Sequence, residues 1–331
     1  MKTVAALALS SLIVLAGTAA RADETIKIGS GPVTQAGPLY LADDKGYFAA
    51  EHLKVEIISL DAAQEVAQGT MAGALDIGAT AATAAAYNLG AKGGLKVIAG
   101  QAREMPTFHG SAFLVSNKAW DAGLHSITDF ANHTIGIVQT GGPIHYELQL
   151  ALDKYHVDTK TIRLVQLQTL PNTANAVAGG QVDAALDVST FALKLEANKS
   201  AHLIAWVGDE TPWQNTFFFV ATKTANERGP MIQAFLRAYK KAAREFYDAF
   251  ATPDGKRRDG PTAPEMLAIL EKHLKQPAAQ LDSGIPYIDP DAKLDVKDVL
   301  HQIEWFKSQH MIPANTDGNS IIDKRYVVPL N

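Results

Sequence analysis

The feature that most constrains this chain of 331 residues is an internal repeat with a constant spacing of 107 positions. Each copy has an apolar strand, a helical segment, a second strand, and then a glycine and an aspartate before a third apolar segment. The related pairs are Gly29 and Gly136, Val55 and Ile162, Gly73 and Gly180, and Asp76 and Asp183. Short apolar strands alternating with helices are typical of α/β folds. The repeat predicts two similar parallel-sheet lobes, although any two βαβ units share part of this pattern.

Two further apolar strands indicate where the chain crosses between the lobes. One covers residues 112–115 and the other residues 217–221. We therefore predict that residues 23–115 and 216–331 form the first lobe and that residues 116–215 form the second. Two crossings make a hinge, and the crevice between two such lobes is the expected ligand site.

The N-terminus has the pattern of an export signal. Lys2 precedes an apolar run over residues 4–17, and small residues occupy both ends of the tripeptide at 20–22, where a signal peptidase reads them. A run of about 14 residues is too short to cross a bilayer core as a helix, which argues against the alternative of a membrane anchor. We predict a signal peptide over residues 1–22, cleavage near Ala22 and a mature protein in the periplasm.

Composition excludes several classes of function. Lys and Arg number 30 against 35 Asp and Glu, so the basic excess of a nucleic-acid binder is absent. The chain has no cysteine, which excludes disulfides, thiol catalysis and thiolate metal sites. Its ten histidines show neither His-x-His nor His-Glu-x-x-His spacing. No nucleophile elbow is present either. We therefore expect no metal, no cofactor and no enzymatic activity.

Several segments between residues 24 and 245 carry a family resemblance. They are IKIG at 26–29, LYLADDKGYF at 39–48, LKVE at 53–56, GALDIG at 73–78, ITDF at 127–130, TIGI at 134–137 and GQVDAA at 180–185. Together they resemble the periplasmic substrate-binding proteins that serve ABC importers of nitrate, taurine and aliphatic sulfonates. That group also includes binders of pyrimidine and aromatic compounds, such as thiamine-pyrimidine precursors. The resemblance implies the type II periplasmic binding protein fold, in which two α/β lobes on a two-segment hinge close over one small ligand.

Candidate ligand-binding residues follow from the expected fold, because loops at the carboxyl ends of the strands face the crevice. In the first lobe the candidates are Thr34, Gln35, Thr80, Ala81, Gln101 and Arg103. In the second lobe and at the return crossing they are Thr140, Gly141, Gly142, Asn172, Asp187 and Trp213.

Each of the sharpest candidates also has a structural interpretation. The glycines at 141–142 let backbone N–H groups approach a negatively charged ligand, or they form an ordinary tight turn. Arg103 forks onto a carboxylate or sulfonate, or it is a solvated loop residue. Asp187 accepts a hydrogen bond from the ligand, or it caps a helix. Trp213 covers an apolar part of the ligand, or it fills the hinge.

The leading hypothesis is a periplasmic solute-binding component of an ABC importer. It captures a small organic anion or zwitterion of the sulfonate, taurine, nitrate or aromatic carboxylate class and delivers it to a membrane-embedded permease with its ATPase. We expect a monomer that binds no nucleic acid. One alternative is a ligand-sensing receptor for a signalling protein. The other is an enzyme similar to the pyrimidine synthases, which the resemblance associates with a cysteine-rich iron segment that this chain lacks.

Overall fold

The computed structural model describes residues 23–60 and 62–330, and the predicted signal peptide lies outside the described residues. The strands are β1 (Glu24–Ser30), β2 (Leu53–Ser59), β3 (Ile77–Ala81), β4 (Leu95–Gly100), β5 (Ala102–Glu104), β6 (Ser111–Ser116), β7 (Thr134–Ile137), β8 (Arg163–Gln166), β9 (Ala184–Val188), β10 (Ala201–Trp206), β11 (Trp213–Gln214), β12 (Thr216–Ala221) and β13 (Tyr287–Ile288).

The helices are α1 (Gly37–Asp44), α2 (Tyr47–Ala50), α3 (Ala63–Met71), α4 (Ala84–Ala91), α5 (Asn117–Asp121), α6 (Pro143–Lys154), α7 (Leu170–Ala178), α8 (Ser189–Ala197), α9 (Val207–Glu210), α10 (Thr222–Glu227), α11 (Gly229–Phe250), α12 (Ala263–Leu274), α13 (Ala278–Asp282), α14 (Val296–Ser308) and α15 (Gly318–Ile321). Within the described residues, none of these helices is both long and apolar enough to cross a membrane.

Two five-stranded sheets form the two lobes, with the strand orders β2-β1-β3-β12-β4 and β10-β6-β9-β7-β8. When the second order is read from β8 to β10, each of its strands corresponds to the strand at the same place in the first order. In each sheet the first three strands of the matching order are parallel. The fourth strand, β12 or β6, is antiparallel because it starts at the hinge, where the parallel strands end. The predicted two-lobed α/β fold is confirmed, and its sheets are mixed rather than purely parallel.

The internal repeat extends to the hydrogen-bond register. The pairing of β1 with β3 recurs, 107 positions later, in the pairing of β7 with β9. In the first lobe the backbone N–H of Lys27 donates to Oδ2 of Asp76 at 2.7 Å. In the second lobe the backbone N–H of Thr134 donates to Oδ2 of Asp183 at 2.8 Å. In both lobes, therefore, the same aspartate ties the loop before the third strand to the first strand.

A left-handed glycine follows the helix before the third strand in both lobes. Gly73 has a φ of +78° and Gly180 a φ of +65°. These values lie in the region that favours glycine, because a Cβ atom would crowd the neighbouring backbone. The glycines end α3 and α7 as the sequence pattern predicts.

The hinge consists of two short crossing strands. β5 leads from the first sheet into the second, and β11 leads back. They pair antiparallel with each other, and β13 adds a third strand. The sequence analysis assigned residues up to 115 to the first lobe, whereas β6 is hydrogen-bonded to β9 and β10 in the second sheet. A fully apolar strand fits either sheet, so its sequence alone does not reveal which sheet it joins.

Helix α14 contacts both lobes behind the hinge. The hydroxyl of Tyr87, on α4 of the first lobe, donates to Oε1 of Gln302 at 2.7 Å. The hydroxyl of Tyr146, on α6 of the second lobe, lies 2.7 Å from Nδ1 of His301. The C-terminal segment therefore bridges the two lobes on one side of the molecule.

Candidate ligand-binding cleft

A cleft of about 350 Å³ lies between the two sheets, next to the hinge. This volume falls at the lower end of the range of about 300–1,000 Å³ that is typical of small-molecule sites. A neighbouring space of about 470 Å³ shares Gln35 and Gly110 with the cleft and continues to α8, where Lys194 is on its wall. The geometry is that of a pocket for one small molecule with a wider approach.

Five of the predicted site residues line the cleft. They are Gln35, Thr80, Ala81, Gln101 and Gly142. Their side chains and backbone come from both lobes, because they stand at or just after the carboxyl ends of strands in the two sheets. Thr34 lines the wider approach, where its hydroxyl donates to the backbone oxygen of Gly284 at 2.6 Å.

Arg103 does not line the cleft. Its side chain is buried, and Nη2 lies 2.9 Å from Oδ2 of Asp295. Successive side chains of a strand point to opposite faces, so Arg103 points away when Glu104 points into the cleft. The structure therefore places Arg103 neither on a ligand anion nor in a solvated loop.

Three other candidates from the second lobe have partners within the protein. The backbone N–H and the hydroxyl of Thr140 donate to Oε1 of Gln166 at 3.2 and 3.3 Å. The backbone oxygen of Gly141 accepts from the N–H of Ala84 at 3.0 Å, a contact between the lobes. Asn172 is exposed in the first turn of α7, and its amide donates to Leu167. None of the three lines the cleft.

Asp187 and Trp213 are fully buried behind the cleft wall. Burial raises the pKa of Asp187 to about 7, while the backbone N–H of Val188 lowers it. Asp187 does not cap α8, since Val188 occupies the cap position. Trp213 packs edge-on against Tyr146 with ring centroids 5.2 Å apart. Of its two interpretations, the structure matches the one in which Trp213 fills the hinge.

Two glutamates that the sequence analysis missed stand in the cleft wall. Glu104 ends the hinge strand β5 and is 5% exposed, and Glu147 lies on α6 and is 0% exposed. The hydroxyl of Ser111 donates to Oε1 of Glu147 at 3.3 Å. A sequence signal for Glu147 exists, because it lies on the apolar face of a helix, at helical spacing from Ile144 and Ala151.

The two glutamates hold their protons more tightly than ordinary carboxyl groups do. Burial raises the pKa of Glu104 well above its usual range, and the charge of Glu147 raises it further. The backbone N–H groups of Gly110 and Ser111 oppose this rise. Burial also raises the pKa of Glu147 to about 7, against hydrogen bonds from Ser111 and Trp213. Two close carboxylates in an apolar wall do not both ionise readily, so burial and Glu147 together favour the protonated form of Glu104.

The described residues offer little for a metal. They contain no group of three or more His, Asp or Glu side chains arranged to hold a metal ion. Of the described residues that line the cleft, none is Lys, Arg or His. The cleft therefore combines apolar surface, neutral amides and hydroxyls, and two buried carboxyl groups.

The two matching sheets, the paired crossing strands and the cleft between them define the class: this is the two-lobed fold of the periplasmic binding proteins. Residues 33–254 match the family model described as NMT1/THI5 like. The chain belongs to the NMT1/THI5-like family.

Solved structures of similar fold include three binding proteins. The periplasmic aliphatic sulphonate-binding protein SsuA from Escherichia coli is 18% identical, with a TM-score of 0.72 over 93% of this chain and 94% of that one. The alkanesulfonate-binding protein SsuA from Xanthomonas axonopodis pv. citri, bound to MOPS, is 19% identical, with a TM-score of 0.69 over 92% and 99%. The periplasmic nitrate-binding protein NrtA from Synechocystis PCC 6803 is 15% identical, with a TM-score of 0.64 over 91% and 85%. No curated protein sequence matches the chain.

Proposed function

We propose that this protein is the periplasmic solute-binding component of an ABC importer. It captures one small organic solute between its lobes, leaves it chemically unchanged and delivers it to a permease with its ATPase. The observation that carries this proposal is a cleft of about 350 Å³ beside a two-strand hinge, lined by residues of both lobes. Family membership and the similarity of fold to sulfonate- and nitrate-binding proteins support it.

The mechanism follows from the hinge. Contacts with the ligand from both lobes are complete only when the lobes are close together, so the ligand stabilises the closed arrangement. In the closed arrangement the ligand contacts Gln35, Thr80 and Gln101 of the first lobe and Gln139 and Gly142 of the second. An exported chain with this design works by binding and release, without a reaction step.

Of the two expected ligand classes, an organic anion or a zwitterion, the lining favours the zwitterion. A simple anion would meet two buried carboxyl groups and, among the described lining residues, no cationic side chain. A zwitterion has a positive end for the acidic wall and a negative end for the neutral donors.

A thermal-shift screen of the mature protein tests the proposal, with small sulfonates, carboxylates, amino acids, amines and pyrimidines as probes. We expect at least one class to raise the melting temperature by mass action and to reduce the radius of gyration in solution scattering. Thr80→Trp fills the cleft and should abolish both effects. The control Thr262→Trp alters an exposed position with no side-chain capping bond and should change neither. Absence of binding across all classes, or conversion of a probe into a product, would contradict the proposal.

A further inference from the structure

The two cleft glutamates form a built site rather than a chance cluster. Glu104 comes from the hinge strand and Glu147 from α6, and Ser111 hydrogen-bonds to Glu147 at 3.3 Å. The carboxyl group of Glu104 packs directly on the backbone of Gly110, where a Cβ atom would come within 1.9 Å of Oε1. Strand, helix and glycine together fix both carboxyl groups in the wall of the cleft.

One of these carboxyl groups has an unused oxygen. Oε2 of Glu104 is buried and has no hydrogen-bond partner among the described residues, whereas Glu147 has the hydroxyl of Ser111 and the indole N–H of Trp213 beside it. Polar atoms that are buried in native proteins nearly always have partners, and an orphan atom beside a cavity points to a missing partner. This oxygen of Glu104 therefore lacks a donor.

The charged groups on the surrounding elements do not supply that donor. Arg103, adjacent on β5, pairs with Asp295. On α6, Nδ1 of His145 accepts from the backbone of Gly141. Of the other titratable groups on packed elements, Asp187 on β9 and Asp298 on α14 are acids, and Nδ1 of His301 on α14 lies 2.7 Å from the hydroxyl of Tyr146. What lowers the pKa of Glu104 is two backbone N–H groups rather than a cation.

We propose that Glu104 and Glu147 form the recognition site for an ammonium group of the solute, so that the protein is a receptor for a small primary amine or aminated zwitterion. This inference rests on the proposed solute-binding function. A primary ammonium has three N–H donors and one positive charge. It donates to the free oxygen of Glu104 and to the carboxyl group of Glu147 and offsets the charge of the pair, which an alcohol or a sulfonate does not do.

Binding of an ammonium is coupled to loss of a proton. In the free protein burial and the neighbouring Glu147 favour the protonated form of Glu104. The bound cation stabilises the ionised form, so the carboxyl proton leaves to the solvent as the ammonium enters. Affinity should therefore rise with pH until the amine itself loses its charge.

The test compares probes that share a skeleton and differ in one group. One series is taurine, isethionate and ethanesulfonate, and another is 2-phenylethylamine, 2-phenylethanol and ethylbenzene. Calorimetric titration of the mature protein should show that the ammonium member of a series binds at least tenfold more tightly than its hydroxyl and unsubstituted members. Titration in buffers of different ionisation enthalpy should show release of a proton.

Glu147→Gln and Glu104→Gln keep the side-chain size and should each weaken ammonium binding at least tenfold. The exposed control Glu196→Gln should leave it unchanged. If either variant fails to fold, proton release by the unmodified protein still decides the question. Binding of isethionate or ethanesulfonate as tightly as taurine, or no proton release, would overturn the inference.

The two proposals fail in different ways. If anions bind, Thr80→Trp abolishes the binding and both glutamine variants keep it, then the solute-binding function stands and only the ammonium site is excluded. If no probe of any charge binds, both proposals are overturned.

Discussion

The two lobes have the same fold but present different chemistry to the cleft. Strand order, register and the aspartate that ties each third strand are the same in both. The first lobe offers neutral groups such as Gln35, Thr80 and Gln101, whereas Glu147 in the second lobe and Glu104 at the hinge are acidic. The comparison teaches that the repeat specifies the scaffold, while the loops and helix starts at the strand ends specify the ligand.

Glu51 of the first lobe and Glu147 of the second have pKa shifts in opposite directions. On the first lobe the guanidinium of Arg237 lowers the pKa of Glu51. In the second lobe burial raises the pKa of Glu147 and of Asp187 to about 7. The contributions of Glu51 and of the two buried acids to stability therefore change with pH in opposite directions.

The largest expected effect is that of Glu147→Gln on stability. The ordinary pKa of Glu147 is 4.5 and its folded value is about 7, so between these values the folded state keeps a proton that the unfolded state loses. The contribution of Glu147 to the free energy of unfolding is greatest below pH 4.5. It falls as pH rises to 7, by about 3 kcal/mol at 1.36 kcal/mol per pH unit. The variant has no carboxyl group at position 147 and does not lose this stability. The free energy of unfolding of the variant minus that of the unmodified protein, measured in urea, should therefore be larger at pH 8 than at pH 4.5.

The matched change in the first lobe, Glu51→Gln, should have the opposite sign. Its pKa is lowered, so its contribution is present at neutral pH and lost on acidification. The pair with Arg237 is partly exposed, so the loss at pH 7 should be about 0.5 kcal/mol. If the free energy of unfolding changed with pH in the same way for Glu51→Gln and Glu147→Gln, the predicted difference between the two acids would be wrong.

An intermediate effect should separate the two repeated aspartates. Asp76 accepts from Lys27 and also pairs with Arg228, whereas Asp183 accepts from Thr134 and lies 3.4 Å from His133. Asp76→Ala should cost about 2 kcal/mol and Asp183→Ala about 1 kcal/mol, since the first also removes a charge-assisted bond. Urea unfolding at pH 8 measures both. A larger loss for Asp183→Ala would break the comparison.

A further effect should be shared equally by the two lobes. Gly73 and Gly180 have positive φ, and a methyl group at either position meets no atom closer than 3.6 Å. Alanine should therefore cost only the left-handed backbone strain, about 1 kcal/mol at each site. Thermal unfolding of both variants checks this. Losses that differ clearly would show that the two turns are not equivalent.

Much of the scaffold could be predicted from the sequence, because the repeat is local. Helix-ending glycines, the aspartates that follow them and apolar strands all act within about one βαβ unit. Strand ends also predicted that Gln35, Thr80 and Gln101 reach the cleft. The sheet to which β6 belongs was not predictable in this way, because its partners β9 and β10 are far away along the chain.

The acidic wall was missed because its position depends on strand phase. Arg103 and Glu104 are adjacent, and only the pairing of β5 with β11 decides which of them faces the cleft. The sequence analysis chose the arginine, whose partner Asp295 lies 192 positions away. A single-residue difference in phase thus changes the expected charge of the site from positive to negative.

The attachment of the acidic pair to one side of the molecule has a consequence for timing. Glu104 is fixed against Gly110, and Glu147 is hydrogen-bonded to Ser111 at the start of β6, so the pair belongs to the second lobe and its hinge. In the proposed site the ammonium group can therefore bind the second lobe of the open molecule before the first lobe arrives. Movement of the first lobe then adds the neutral donors Gln35, Thr80 and Gln101 and completes the contacts with the solute.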